Sequence, residues 1–435
     1  MLGILGGTIV SRGLVRENTS LAIDGNRIAA VGDADEIRRA FKFDETIDAR
    51  GKLVLPGLVD AHLHSFQVAC KGLTGDETLL DWLRKYIFPW EGSLTAEKAR
   101  ACARLAYLEL IKSGTTTFSD LTSVRHTEEA FKAAKEMGLR ANIGKTMMDV
   151  NAPPELQQET ETALRESAAL IRAWHGREGG RLRYMLTPRF DLTCTDELFL
   201  GCRRLAEKHG VMIQTHTQEN IKEVEEEMRL YGKPAIEHLN ELGLLGPRLM
   251  LTHCIWLNER ELELLRTSGT HVVHTPGSNM ILASGAIMMS SFLGKGIPVG
   301  LGSDVGAYHR FSIFEQARLA CLLQKVLSFG KQIIKYREAF ELATVGGAAA
   351  LNLEKEIGTI EAGKKADLIL LDRRNIAFAP ANDLFAQIVF AADRDAVETV
   401  MVDGRVLMRE RQVLVADEQE ILGEAEEILR IKRQR

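Results

Sequence analysis

Two histidines one residue apart, His62 and His64 in VDAHLHSFQ, are the first residues of this chain able to do chemistry. Residues two apart on a β-strand project from one face, so the pair presents two imidazoles side by side. His216 in QTHTQEN, His253 in LTHCIW and Asp304 in GLGSDVG each close a similar apolar run. Imidazole nitrogens with a carboxylate oxygen suit Zn2+, and Fe2+ is also served by such donors. A metal-bound water ionises near neutral pH instead of near ~15.7, which supplies hydroxide for hydrolysis. Glu219, three residues beyond His216, is placed to take that water's proton and hand it to a departing group.

Each residue alone has a plainer reading, since a single buried histidine is more often a hydrogen-bonded core residue than a ligand. The set outweighs that reading, because groups that act together should fall at equivalent strand ends. The other histidines do not share the pattern. His209 stands at the start of the VMIQTHT run, His238 in a helical stretch, and His126 and His175 in polar surroundings, so they read as structural or solvent-facing. His271 and His274 are an odd number of residues apart and point to opposite faces; only His274, beside TPGSN, falls near the strand ends.

Groups far apart in sequence can meet only if the strands carrying them end at one mouth. Eight runs qualify as strands: LVLPGLVDAH, GTTTFSD, LRANIGKTM, RLRYMLTP, VMIQTHT, LMLTHCIW, THVVHTP and IPVGLGSD. They alternate with helix-like stretches, which predicts an α/β fold, a (β/α)8 TIM barrel over 56–356, with its site at the C-terminal strand ends. Residues 1–55 and 357–415 read instead as short strands, with hairpin signals at Asp24-Gly25 and Asp403-Gly404. One small β-sandwich-like domain built from both chain ends is expected, followed by an exposed C-terminal helix over 416–435.

Bulk properties narrow the partners. A chain of 435 residues with 45% hydrophobic and 26% charged residues can bury a large core. A net charge of −5 gives no basic footprint for nucleic acid. No run approaches the ~18 apolar residues that cross a bilayer, and the N-terminus lacks the pattern of a secretory signal, which points to the cytoplasm and away from membranes. The six cysteines are scattered without a C-x-x-C pair, as expected of reduced, buried thiols. A small-molecule substrate is expected, and association into a homo-oligomer is common for barrels of this size.

The motifs PGLVDAHLH, THTQEN, LTHC, HTPGSN and GLGSDVG, in this order and over nearly the whole chain, resemble the amidohydrolase superfamily, in its branch of aminohydrolases acting on ring systems. Members with two metals carry a carboxylated lysine on strand four; RLRYMLTPR has none. The resemblance therefore implies one Zn2+ per subunit, held by His62, His64, His216 and Asp304. It further implies that Glu219 protonates a ring nitrogen, that His253 orients or deprotonates the water, and that Asp304 relays a proton to the leaving amine.

For the substrate, Gln67 in HLHSFQ and Arg189-Phe190 in TPRFDLTC are similar to guanine deaminases, where the glutamine and arginine bind the purine edge and oxo group. An arginine fork and an amide suit that task; pairing of Arg189 with Asp191 or Asp120 is the structural alternative. LLDWLRKYIFPWEGSLT resembles deaminases of 5′-deoxyadenosine, methylthioadenosine and S-adenosylhomocysteine, which implies that Glu91 grips ribose hydroxyls. Trp90 and His309 complete the candidate substrate-binding residues. The chain is also similar to s-triazine hydrolases, and departs from all of these relatives in VGAYHRFSIFEQ, where Tyr308, His309 and Arg310 could reshape the pocket. The expected reaction is hydrolytic deamination of a purine-like ring, guanine-type bases first and adenosine-type nucleosides as the alternative. A hydrolase of non-aromatic cyclic amides and a catalytically dead binding barrel are the remaining readings.

Overall fold

Where the chain reverses tightly it uses residues that tolerate positive φ. In the second expected hairpin Asp403 (φ 49°) and Gly404 (φ 73°) are both left-handed, the backbone that a two-residue turn between twisted strands demands. In the first, Asp24 pairs with Arg27 and the turn is Gly25-Asn26, one residue later than the sequence suggests.

A computed structural model of the chain describes residues 1–73, 76–329 and 333–430. Five N-terminal strands, β1 (Leu2–Ser11), β2 (Leu14–Asp24), β3 (Arg27–Asp33), β4 (Glu45–Asp48) and β5 (Lys52–Pro56), precede the barrel. The barrel strands are β6 (Leu58–Leu63), β7 (Thr115–Leu121), β8 (Arg140–Gly144), the short β9 (Thr146–Met147), β10 (Leu182–Pro188), β11 (Met212–Thr217), β12 (Leu249–His253), β13 (His271–His274) and β14 (Val299–Leu301). The chain ends with β15 (Leu368–Asp372), β16 (Val397–Val402), β17 (Arg405–Arg409) and β18 (Gln412–Val413). One sheet runs β18-β17-β16-β15-β5-β1-β2-β3, with β4 on β1, so both chain ends build it. The other runs β14-β13-β12-β11-β10-β8-β7-β6, all parallel, and is a nearly closed (β/α)8 barrel.

The expected first strand is thus two strands in different sheets. β5 pairs antiparallel with β15, and β6 pairs with β7. Gly57 lies between them because a Cβ there would stand 2.0 Å from the Thr116 hydroxyl, so any larger residue would force the sheets apart. Arg140, at the start of β8, ties the two sheets together. Its guanidinium donates to both oxygens of Asp367 (2.7 and 3.1 Å) and to Asp403 (2.6 Å) in the hairpin turn.

The seam between β6 and β14 is closed by backbone rather than by a full ladder. The Asp304 N–H donates to the His62 carbonyl (3.0 Å), and the Ser303 and His62 N–H groups share one Asp60 oxygen (3.0 and 3.3 Å). A Cβ on Gly302 would be 2.8 Å from the His62 Cβ, so glycine is what lets strand eight approach strand one. The helices between strands are amphipathic. In Thr127–Met137, Ala130, Phe131, Ala134 and Met137 form the buried stripe, and Gly138 (φ 76°) ends the helix in the left-handed region. At the C-terminus a helix forms over Glu418–Ile428, shorter than expected; the last part of that expectation, 431–435, lies outside the described residues. His209, expected at the start of strand five, is instead the last residue of the helix Asp196–His209.

Candidate active site

The strand ends bring the chemistry-bearing residues to one mouth. His62 lies in β6, His64 immediately after it, His216 in β11 and His253 at the end of β12; Asp304 follows β14 by three residues, so it sits in the loop beyond the strand. His253 (φ 79°) and Asp304 (φ 49°) themselves, and Gln218 (φ 49°) beside Glu219, adopt left-handed backbone. Such conformations cost about 1–3 kcal/mol each in a non-glycine residue and collect where a side chain must be aimed.

Four donors converge. His62 Nε2 is 3.2 Å and His64 Nε2 3.4 Å from Asp304 Oδ1, and His64 Nε2 is 3.2 Å from His216 Nε2. Ligands at ~2.1 Å around a tetrahedral Zn2+ are separated by about 3.3 Å, so these spacings are those of a metal's coordination sphere. The far ring nitrogens agree. His64 Nδ1 donates to the Leu121 carbonyl (2.8 Å) and His216 Nδ1 to the Arg189 carbonyl (2.7 Å), which leaves two Nε2 lone pairs facing each other with no proton between them. His62 Nε2 is buried without a hydrogen-bond partner, while its Nδ1 faces the Thr252 hydroxyl (3.3 Å) and the Gln214 amide nitrogen (3.1 Å). The two Gln214 amide protons have other acceptors, the Ala61 carbonyl (3.2 Å) and the Thr252 hydroxyl (3.1 Å). This leaves His62 Nδ1 to carry its own proton toward Thr252 and its Nε2 lone pair to join the other two. Burial drives His64 down to about 3 and His216 well below the usual imidazole range, so both are neutral ligands at pH 7. Burial alone would raise Asp304, but the close approach of His62 and the neighbouring imidazoles holds it well below the usual carboxylate range. The donor set therefore fits a single divalent metal. Strand four contributes no lysine, and Lys145, beyond β8, is turned to Gln158 and Glu166.

His253 has the opposite polarity. Its Nδ1 lies 2.9 Å from the Asn279 amide nitrogen, whose own oxygen takes the Thr275 hydroxyl (3.3 Å). Nδ1 is thus an acceptor and the proton sits on Nε2, 3.3 Å from Glu219 Oε2. Burial, reinforced by Asp304 and Glu223, pushes the Glu219 carboxyl well above its ordinary value; Ser284 donates to its other oxygen (3.2 Å).

Around this centre lies a cavity lined by His64, Gln67, Arg189, Phe190, His216, Glu219, His253 and Asp304, all expected from the sequence. Leu79, Trp82, Leu83 and Leu282 add an apolar wall, and Glu223 a further carboxyl, none of them singled out in the sequence. The Asn220-x-x-Glu223 pattern is a readable signal: the Glu223 carboxylate accepts from the Glu219 and Asn220 N–H groups (2.8 and 3.3 Å) and fixes the turn presenting Glu219. Nothing local in the sequence marks the wall residues, which meet the cavity only through packing.

Three expected substrate residues are placed differently. Glu91 lies one bond behind the cavity, accepting from Gln67 Nε2 (2.8 Å) and Arg189 Nη1 (2.9 Å). Arg189 therefore pairs with neither Asp191 nor Asp120. Trp90 does not line the cavity; its indole donates to the Phe66 carbonyl (2.7 Å). Nor does His309, whose Nδ1 accepts from the Gly72 N–H (3.0 Å). The loop that departs from the relatives acts through its backbone: Gly306 (φ 134°) packs so close that a Cβ would stand 2.0 Å from the Gln67 amide oxygen, and Arg310 reaches away to Asp393 (2.9 Å). His274 is buried in β13 and does not line the cavity.

Barrel, strand-end donors and buried acid define a hydrolase built on a parallel (β/α)8 scaffold. The amidohydrolase family model matches residues 53–407, and the chain belongs to that family; a model of the bacterial imidazolonepropionase-like composite domain matches 21–41. The chain is 34% identical over 415 residues to a 5′-deoxyadenosine deaminase of Methanosarcina mazei, covering 95% of this chain and 93% of that one. It is 36% identical over 411 residues to a 5-methylthioadenosine/S-adenosylhomocysteine deaminase of Desulforudis audaxviator, covering 94% of each. Among solved structures it is similar to a zinc-bound adenosine deaminase from Xanthomonas campestris (TM-score 0.93, 26% identity, 98% and 97% covered). It is also similar to the guanine deaminase of E. coli (TM-score 0.87, 27% identity, 94% and 100% covered). The protein is an enzyme of this family, a hydrolase of carbon–nitrogen bonds in cyclic amidines.

Proposed function

We propose that this enzyme deaminates an oxo-purine base of the guanine type, with one Zn2+ held by His62, His64, His216 and Asp304. One observation carries the substrate assignment. Gln67 and Arg189 line one cavity, both held by Glu91, and Gln67 Oε1, packed against Gly306, is a buried acceptor without a partner. An acceptor beside a multiple donor complements a ring N–H next to a carbonyl, the lactam edge of guanine, which adenine lacks. Glu91 supports this reading from behind, since its carboxylate holds both groups and is already engaged.

When bound, the metal would lower the pKa of a water and polarise it toward the ring. The chain's own residues move the protons. Glu219, kept protonated by burial, donates to the ring nitrogen adjoining the amino-bearing carbon and regains a proton from the attacking water; His253 offers Nε2–H to the attacking oxygen and orients it; Asp304, ionised, takes the water's other proton and passes it to the departing amine. The carbon–nitrogen bond to the exocyclic amine breaks, a carbon–oxygen bond forms, and ammonia leaves. Leu79, Trp82, Leu83, Phe190 and Leu282 flank the ring and exclude bulk water.

The test is ammonia release by zinc-loaded protein offered guanine, 8-oxoguanine, pterins, adenosine derivatives and aminotriazines. Preference for a lactam-bearing base supports the assignment, and turnover of nucleosides alone overturns it. A second reading, an adenosine-type deaminase, is favoured by the 34–36% identity to the two nucleoside deaminases above. On that reading Glu91 must release Arg189 and Gln67 before it can take ribose hydroxyls.

A further inference from the structure

His238, which the sequence marks only as a histidine in a helix, holds the segment that carries Arg189 and Phe190. It lies in the helix Ala235–Glu241, nearly buried. Its Nδ1 is 3.0 Å from Asp191 Oδ2 and its Nε2 3.0 Å from Asp196 Oδ1. Both ring nitrogens face carboxylate oxygens, so with Asp191 and Asp196 ionised both contacts are hydrogen bonds only if the ring carries two protons. Tyr231, at the end of the preceding helix, stacks on the imidazole (centroids 4.2 Å apart) and donates its hydroxyl to the Asp191 carbonyl (3.1 Å). The turn after β10 is therefore gripped by two helices at once.

What the grip fixes lies two residues earlier. The Arg189 carbonyl accepts from His216 Nδ1 (2.7 Å) and from the His216 N–H (3.0 Å), which aims one of the metal-site imidazoles. The Arg189 side chain meets Glu91, and Phe190 forms cavity wall. Three consecutive residues, 189 to 191, thus touch the metal site, the substrate cavity and the clamp. We propose that protonated His238 is a positioning residue, which through Asp191 sets both the substrate-facing Arg189 and the orientation of His216. This rests on the cavity assignment above.

The groups facing the clamp are acidic. Asp191 and Asp196 bond the ring; Glu241 acts on it from its own helix, with its charge shared by Lys233 (2.6 Å); Glu227, from the Tyr231 helix, faces Asp191 from behind. Burial opposes the His238 charge, but the two carboxylates win and raise its pKa above the ordinary value. Asp191 is itself raised by burial, with one oxygen lacking a partner, so losing the imidazolium leaves a buried carboxylate poorly compensated. The folded pKa of His238 being above the unfolded one, the imidazolium side of the clamp is complete below the unfolded value, as long as the carboxylates stay ionised, and is lost as pH rises through the folded value.

The experiment compares wild type, His238→Gln and Asp196→Asn on the base that the ammonia screen identifies. Wild-type KM should rise on the alkaline side with kcat little changed. In His238→Gln, KM should be raised about tenfold at all pH with that limb gone. Asp196 is half exposed and outside the site, so Asp196→Asn should fold and keep kcat, while removal of one facing charge moves the KM limb to lower pH. Zinc retention against a chelator, measured at pH 7 without substrate, should fall in His238→Gln. That readout survives a wrong substrate assignment, so failure of the base reading and failure of the clamp are separable. A KM limb at the same pH in wild type and both variants, with unchanged zinc retention, overturns the proposal.

Discussion

Replacing Glu91 by glutamine separates a structural ion pair from a ribose grip. The Glu91 side chain is fully buried and that of Arg189 only 4% exposed, with 2.9 Å between charged atoms. Removing one partner of such a pair costs about 3–5 kcal/mol, because the other charge stays buried without compensation. Glutamine keeps one oxygen, which accepts from Arg189, while its amide nitrogen meets Gln67, whose own amide turns to accept from it, so the low end, about 3 kcal/mol, is expected. For 435 residues this lowers the melting temperature by roughly 3 °C. Glu91→Gln/Arg189→Met removes both charges and should recover most of that loss, as neutral replacements of buried pairs often do. The assays are thermal unfolding of the zinc-loaded single and double variants, and kcat/KM on guanine and on 5′-deoxyadenosine. Glu91→Gln should reduce guanine turnover, since Arg189 loses its anchor. A melting temperature equal to wild type, together with a double variant less stable than either single one, would refute the argument. Unchanged guanine turnover with lost nucleoside turnover would return Glu91 to the ribose.

Four further outcomes are expected. Glu219→Gln should retain zinc, measured by metal analysis, and lose about 10²–10⁴-fold in kcat, the range for a lost general acid. Gln67→Ala should raise KM for a lactam base without altering metal content, because the amide touches the cavity and no ligand. Asn279→Asp should reverse the His253 tautomer, since a carboxylate accepts from Nδ1–H; 15N spectra of histidine-labelled protein would show Nε2–H in wild type and lose it in the variant. Burial pushes Glu261 up to about 7, above its unfolded value. The native state then binds an extra proton between about pH 4.5 and 7, and stability falls as pH rises through that window, by roughly 3 kcal/mol at most. Glu261→Gln keeps the cap on Asn258 and should flatten this slope in urea titrations at pH 5 and 8.

Much of the site was legible because the barrel imposes a rule on sequence. A residue that closes an apolar strand run points to the mouth, and His62, His64, His216, His253 and Asp304 obey it. Gln67 and Arg189 were readable from their distance to those ends. The partners of these residues were not. Glu91 is 98 residues from Arg189, and nothing in FPWEG says that its carboxylate faces that guanidinium. Trp90 and His309, expected to bind substrate, turn elsewhere because a helix and a loop rotate them away. His238 read as bland for the same reason: its two carboxylates come from another helix and a turn.

By itself, then, the sequence determined strand periodicity, the donor types and their order along the barrel, since these depend on local patterning and on the alternation of strand faces. Only the tertiary structure decided which nitrogen of each histidine is free, which carboxyl keeps its proton and which arginine is anchored. Those properties follow from burial and from hydrogen-bond partners tens to hundreds of residues away, and a linear pattern carries no record of either.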